Sequence, residues 1–115
     1  MPQIPVPGLV LQKKWEDMAK YVYTVVLRHM PRLDRNTLGT EITQAIWCTE
    51  SKIIQVACRV SGRVPLLQQI DIEAKTILRM IAVGTEMGII SEKKYLLLAE
   101  QFVEIGKIVG GLLKR

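Results

Sequence analysis

An all-α fold, in its simplest form an antiparallel up-down-up-down four-helix bundle, is what this 115-residue chain predicts. Apolar residues make up 49% of the sequence but Phe, Trp and Tyr only 5%, so the core is left to Leu, Ile, Val, Met and Ala, which suit helix packing. These residues recur at intervals of three and four along four stretches, the period of one face of an α-helix. Nowhere does apolar-polar alternation hold beside a hairpin-type turn dipeptide, so no strand competes. The length suffices for one core and is too short for two.

Met1 to Gly8 carries Pro2, Pro5 and Pro7, which hold a segment extended, so residues 1–8 read as an arm and 9–115 as the domain. From Leu9 to Met30 the stripe is Leu11, Trp15, Met18, Ala19, Val22, Val25, Val26 and Met30, and Pro31 stops it. Asp34 or Asn36 offers a side-chain cap for a second helix, with Leu38, Ile42, Ala45, Ile46, Ile53, Val56 and Val60 inward and Gly62 at its end. Pro65 suits the first turn of a third helix, whose stripe of Leu66, Leu67, Ile70, Ala74, Ile77, Leu78 and Ile81 runs toward Met87, with Gly88 as breaker. Ser91 is a good N-cap for the fourth, with Tyr95, Leu98, Ala99, Phe102, Ile105, Val109, Leu112 and Leu113 inward. Turns this short make consecutive helices antiparallel neighbours.

The formal charge of +5 favours anionic partners such as nucleic acid or an acidic protein surface. Cys48 and Cys58, ten residues apart on one helix, are separated by roughly 15 Å, too far to bond to each other. They read as reduced core residues. With no secretory h-region, the expectation is a cytoplasmic protein, and charges interrupt every apolar run before the ~18 residues a membrane span needs. The single histidine, His29, lies at a helix C-terminus, where it partners the helix dipole or packs. No Cys and His cluster has metal-ligand spacing and no phosphate-binding glycine loop is present, so nucleophilic, metal and nucleotide chemistry lack a signature. No catalytic residue, metal or cofactor is expected.

Two basic groups stand out. Lys52, Arg59 and Arg63 follow at spacings of seven and four. If the third helix returns antiparallel, Lys75 comes level with Lys52 and Arg79 lies one turn further, giving a strip able to hold phosphates. The alternative is that Asp71 pairs with Lys75 at i,i+4 and the rest is solvated. Arg28, Arg32 and Arg35 surround the first turn and suit a protein partner. Aromatics placed to stack on bases are scarce, so nucleic-acid contacts should go to the backbone and ignore sequence.

The last helix reads Glu104-Ile105-Gly106-Lys107-Ile108-Val109-Gly110-Gly111. A glycine inside a helix costs about 1 kcal/mol relative to alanine, so three need a reason. Gly106 and Gly110, one turn apart, form a smooth stripe with Gly111 beside it. Such a stripe serves either packing within the chain or a contact between subunits.

That glycine segment, Leu9-Val10-Leu11-Gln12-Lys13-Lys14-Trp15, Leu38-Gly39 after the Pro31 to Arg35 turn, and Gly88-Ile89-Ile90-Ser91 through Tyr95 together resemble one family. It is the accessory variability determinant (Avd) family of diversity-generating retroelements, related to the four-helix proteins encoded in intervening sequences of 23S ribosomal RNA genes. The resemblance spans nearly the whole chain after the arm. It implies a four-helix subunit of a homopentameric barrel, basic outside, that binds the reverse transcriptase and nucleic acid, RNA or DNA, during mutagenic copying of a template RNA. It implies no catalysis. The family motif runs closer to Ile-Gly-Arg-Met-Leu-Gly-Gly-Trp, so Lys107 stands for an arginine and Leu112 for a tryptophan. Where the family often has an arginine after Leu-Gly, this chain has Glu41. The alternative is an intervening-sequence type of bundle, an oligomeric scaffold with no polymerase to serve.

Overall fold

The computed structural model describes residues 7–58 and 61–114, and among these all regular structure is helical, with no strand. Helix α1 runs Pro7–Tyr21 and continues through a π-helical turn, Val22–Val26, and a 3-10 turn, Leu27–His29. Helix α2 starts as Arg32–Asp34, passes through a second π-helical turn, Arg35–Gly39, and runs on as Thr40–Cys58. Helix α3 is Arg63–Glu86 and α4 is Glu92–Leu113. The expected arm falls largely outside the described residues. Its last two positions belong to α1, because a proline in the first turn gives up only an N–H that has no helical partner.

The breaks follow local chemistry. Met30 and Pro31 are extended (ψ 135° and 150°), as the residue before a proline tends to be, and the helix resumes directly at Arg32. Neither Asp34 nor Asn36 caps it, contrary to the sequence reading; both lie within the helical run. Gly62 (φ 71°) and Gly88 (φ 77°) are left-handed, a conformation that disfavours a Cβ. The Ser91 side chain accepts from the Lys94 backbone N–H at the start of α4.

Each helix packs on two neighbours in a closed ring, α1 on α2, α2 on α3, α3 on α4 and α4 back on α1. Leu11, Trp15, Met18, Ile42, Ile46, Ile53, Leu67, Ile70, Ile77, Ile81, Leu98 and Ile105 are fully buried, each stabilising by about 1.5–3 kcal/mol through apolar burial. Trp15 ties three helices. Its indole N–H donates to the Ile46 carbonyl at 3.0 Å, and its ring meets Phe102 edge-on at 5.9 Å.

The π turns answer a register problem. Val22, Val26 and Met30 follow at steps of four, which in a 3.6-residue helix drift by about 40° each. The wider turn absorbs the drift, and all three stay buried. The second π turn contains Leu38, the first of Leu38, Ile42 and Ile46, which are spaced in the same way. Gly39 and Gly84 are where the interior needs a missing side chain. A Cβ would lie 3.0 Å from Leu27 Cδ2 at Gly39, and 2.9 Å from both Leu38 Cδ2 and Ile90 Cδ1 at Gly84. The cysteines are a correction: both are exposed, not core. Each stands two positions beyond a buried residue, Ile46 or Val56, which carries it across the helix to the outside.

Candidate functional site

The four described residues of the expected phosphate strip, Lys52, Arg63, Lys75 and Arg79, do not share one edge. Lys52 lies between α2 and α3, where its Nζ meets Glu73 Oε2 at 2.9 Å. Glu73 Oε1 in turn accepts from the Thr49 hydroxyl at 2.8 Å. The hydrogen bond that Lys52 donates to Glu73 holds its ammonium above the usual lysine range. Lys75 is on the other side of α3, lining a groove with α4, and its Nζ is 2.9 Å from Asp71 Oδ2. Arg79 follows one turn on and is exposed. Arg63 is half-buried, with an Nε that finds no hydrogen-bond partner. Arg59 lies outside the described residues.

Arg28, Arg32 and Arg35 do cluster, because the chain leaves the helix only at Met30 and Pro31 between them. All three are exposed, and none makes an ion pair among the described residues. His29 Nδ1–H donates to the Val25 carbonyl at 2.8 Å, satisfying a carbonyl left free by the ending helix.

On α4, a Cβ added at Gly106, Gly110 or Gly111 would meet no atom within 4 Å. Packing within the chain therefore does not require these glycines. They belong to a row, Leu96, Ala99, Val103, Gly106, Gly110 and Leu113, that runs at alternating steps of three and four beside the core row of Tyr95, Leu98, Phe102, Ile105, Val109 and Leu112. Leu96 and Val103 in the outer row are 55% and 56% exposed. Beside it, Ala74, Leu78, Phe102, Val103 and Gly106 line a groove of about 250 Å³.

A third face lies between α1 and α2. Tyr23 and Trp47 are both exposed there, with ring centroids 6.4 Å apart at 44°, and the Trp47 indole N–H donates to the Tyr23 hydroxyl oxygen at 2.9 Å. With Glu16, Ala19, Lys20 and Thr24 they line a groove of about 370 Å³. Glu50, buried, has an Oε1 without a hydrogen-bond partner, and its carboxyl faces that of Glu16. Burial, then the Glu16 carboxyl, raise it to about 7. Gln12 Nε2 donates to Glu16 Oε2 at 3.1 Å.

A family model described as bAvd-like matches residues 9–115. The chain belongs to the bAvd-like family. No curated protein and no solved structure matches it. The family assignment agrees with the resemblance carried by the glycine segment and makes this an Avd-type accessory protein. Among the described residues of this bAvd-like bundle, no group of three or more Cys, His, Asp or Glu could hold a metal, and no helix is long and apolar enough to cross a membrane.

Sequence reading missed the α1–α2 face of the bAvd-like bundle. Its signals were a tryptophan one residue off the apolar stripe, Trp47 after Ile46, and a gap in that stripe between Ile46 and Ile53 that Thr49 and Glu50 fill.

Proposed function

We propose that this bAvd-like protein is a non-catalytic accessory subunit of a diversity-generating retroelement, joining a reverse transcriptase to nucleic acid through cationic surface groups. The family match over residues 9–115 carries this reading. It is supported by Arg28, Arg32 and Arg35, which are exposed and make no ion pair among the described residues. These are the groups assigned to the polymerase. Lys75 and Arg79, with Lys52, Arg59 and Arg63, are assigned to phosphates of RNA or DNA, with little dependence on sequence. The protein works in the cytoplasm as a homopentamer. Its copies meet along the outer row of α4, where Gly106, Gly110 and Gly111 let backbones approach closely.

The reading is tested by retention of the cognate reverse transcriptase on the purified protein. Native protein should retain it, and a variant with Arg28, Arg32 and Arg35 all changed to Glu should lose at least tenfold while its helical circular dichroism is unchanged. No retention by native protein refutes the polymerase partnership.

A further inference from the structure

We propose that Trp47 of one copy seats in the groove between α3 and α4 of the next copy, so that each contact of the assembly joins the α1–α2 face to the outer row of α4. This rests on the homopentamer proposed above and names the second half of its contact. In an odd-membered ring every contact is heterologous, because an isologous contact uses the same patch on both copies and closes them in pairs. The α4 row therefore meets a different surface of its neighbour.

Three observations select Trp47 for that surface. The first is height. The Thr49 hydroxyl of α2 reaches Glu73 of α3 at 2.8 Å, and the two helices run antiparallel, so Trp47, two residues before Thr49, is level with Lys75, two after Glu73. Lys75 lines the groove together with Val103 and Gly106 of α4. Rotation about a barrel axis parallel to the helices adds no shift along them, so it carries Trp47 of one copy to the level of Val103 in the next. The other large apolar residues exposed on α1 and α2 lie elsewhere along the bundle: Leu9 and Val10 at the start of α1, Leu33 beside the first turn, Ile54 two turns past Trp47. The second observation is that the Trp47 indole N–H is already given to the Tyr23 hydroxyl oxygen at 2.9 Å, so the ring is covered without orphaning a donor. Trp47 is 51% exposed, and tryptophan is the residue type that most often anchors an interface once buried. The third is fit. The groove, about 250 Å³, has apolar walls and opens at Gly106, where a Cβ would meet nothing within 4 Å. It is smaller than an ordinary ligand pocket of about 300–1,000 Å³ and suits one side chain. Asp71 and Lys75 at its rim pair with each other at 2.9 Å, so covering it leaves no charge unpaired there.

The test uses Trp47→Ala and Gly106→Leu in the full-length protein, with circular dichroism to check that each keeps its helices. Either variant alone should raise the dissociation constant of the assembly at least tenfold by light scattering. An equimolar mixture should form pairs with one subunit of each kind and stop there, because Trp47 of the Gly106→Leu copy still finds the intact groove of the Trp47→Ala copy. Emission gives a second reading. Trp15, the other tryptophan, is fully buried, so a red shift of Gly106→Leu relative to native protein reports Trp47 returning to water. Native mass for Trp47→Ala, a mixture that stays monomeric, or unshifted emission of a dissociated Gly106→Leu overturns the proposal. If Gly106→Leu breaks the assembly and Trp47→Ala does not, the α4 row meets another surface and this inference alone falls. If native protein is monomeric, or neither variant changes the mass, the contact along the α4 row falls with it.

Discussion

Glu50 shows what one misplaced polar side chain does to a helical core. Its carboxyl is raised from 4.5 to about 7 by burial and by Glu16, so the folded chain keeps a proton that the unfolded chain has released. Below pH 4.5 both states hold the proton. Between 4.5 and about 7 only the folded state does, so stability falls as pH rises through this window, and above it the full loss is in place. With solvent screening allowed for, that loss is of order 2 kcal/mol. Glu50→Gln should therefore match native protein near pH 4.5 and exceed its stability by about 2 kcal/mol at pH 8, measured by urea unfolding at both values. A native profile that does not decline over this range would place Glu50 in water. This residue could not be assigned from the sequence. A lone glutamate in an amphipathic helix reads as surface, and only the position of α1 across from it makes it interior. Gly84 was equally hidden, since the reason for it lies in Leu38 and Ile90, far away in the chain.

At the scale of elements, the helices themselves were legible because the apolar period is long and holds in all four of them. Ser91, Gly62 and Gly88 mark ends through local chemistry alone. The π turns were not, although the steps of four at Val22, Val26 and Met30 hint at them, because that spacing is also ordinary in an α-helix. The start of α2 depended on Pro31 rather than on the available Asp and Asn. For α4 the glycines make opposite demands on a lone chain and on an assembly. Within one chain the space at Gly110 is open, so Gly110→Ala should stabilise the helix by about 1 kcal/mol. Gly106→Leu or Gly110→Leu should overpack a contact between copies at a cost of about 1–3 kcal/mol, and light scattering should report smaller species. An unchanged mass for both leucine variants would remove the outer row from the assembly.

For the whole molecule, the four-helix arrangement was legible from element lengths and turn lengths, while the electrostatic surface was not. The spacing of Lys52, Lys75 and Arg79 is a property of single helices, but which groove each one faces depends on how α3 is rotated between α2 and α4. That rotation gives Lys52 to Glu73 and leaves Lys75 with Asp71, pairs that reduce the field available to a phosphate. The exposed pair of Lys75 with Asp71 is worth at most about 1 kcal/mol, so a polyanion can displace it. Changing Lys75 and Arg79 together to Glu should lower the salt slope of nucleic-acid binding by about two units, one per lost phosphate contact. The check is fluorescence anisotropy with a labelled RNA over a range of salt, and an unaltered slope assigns nucleic acid to other cations.

The two outward cysteines turn the ring of helices into its own ruler. Spin labels attached to Cys48 and Cys58 need no engineered handle, and along a single copy of α2 they lie roughly 15 Å apart before label linkers are added. Any longer separation seen by pulsed resonance would come from a neighbouring copy, and the set of such separations would count the copies in the proposed assembly.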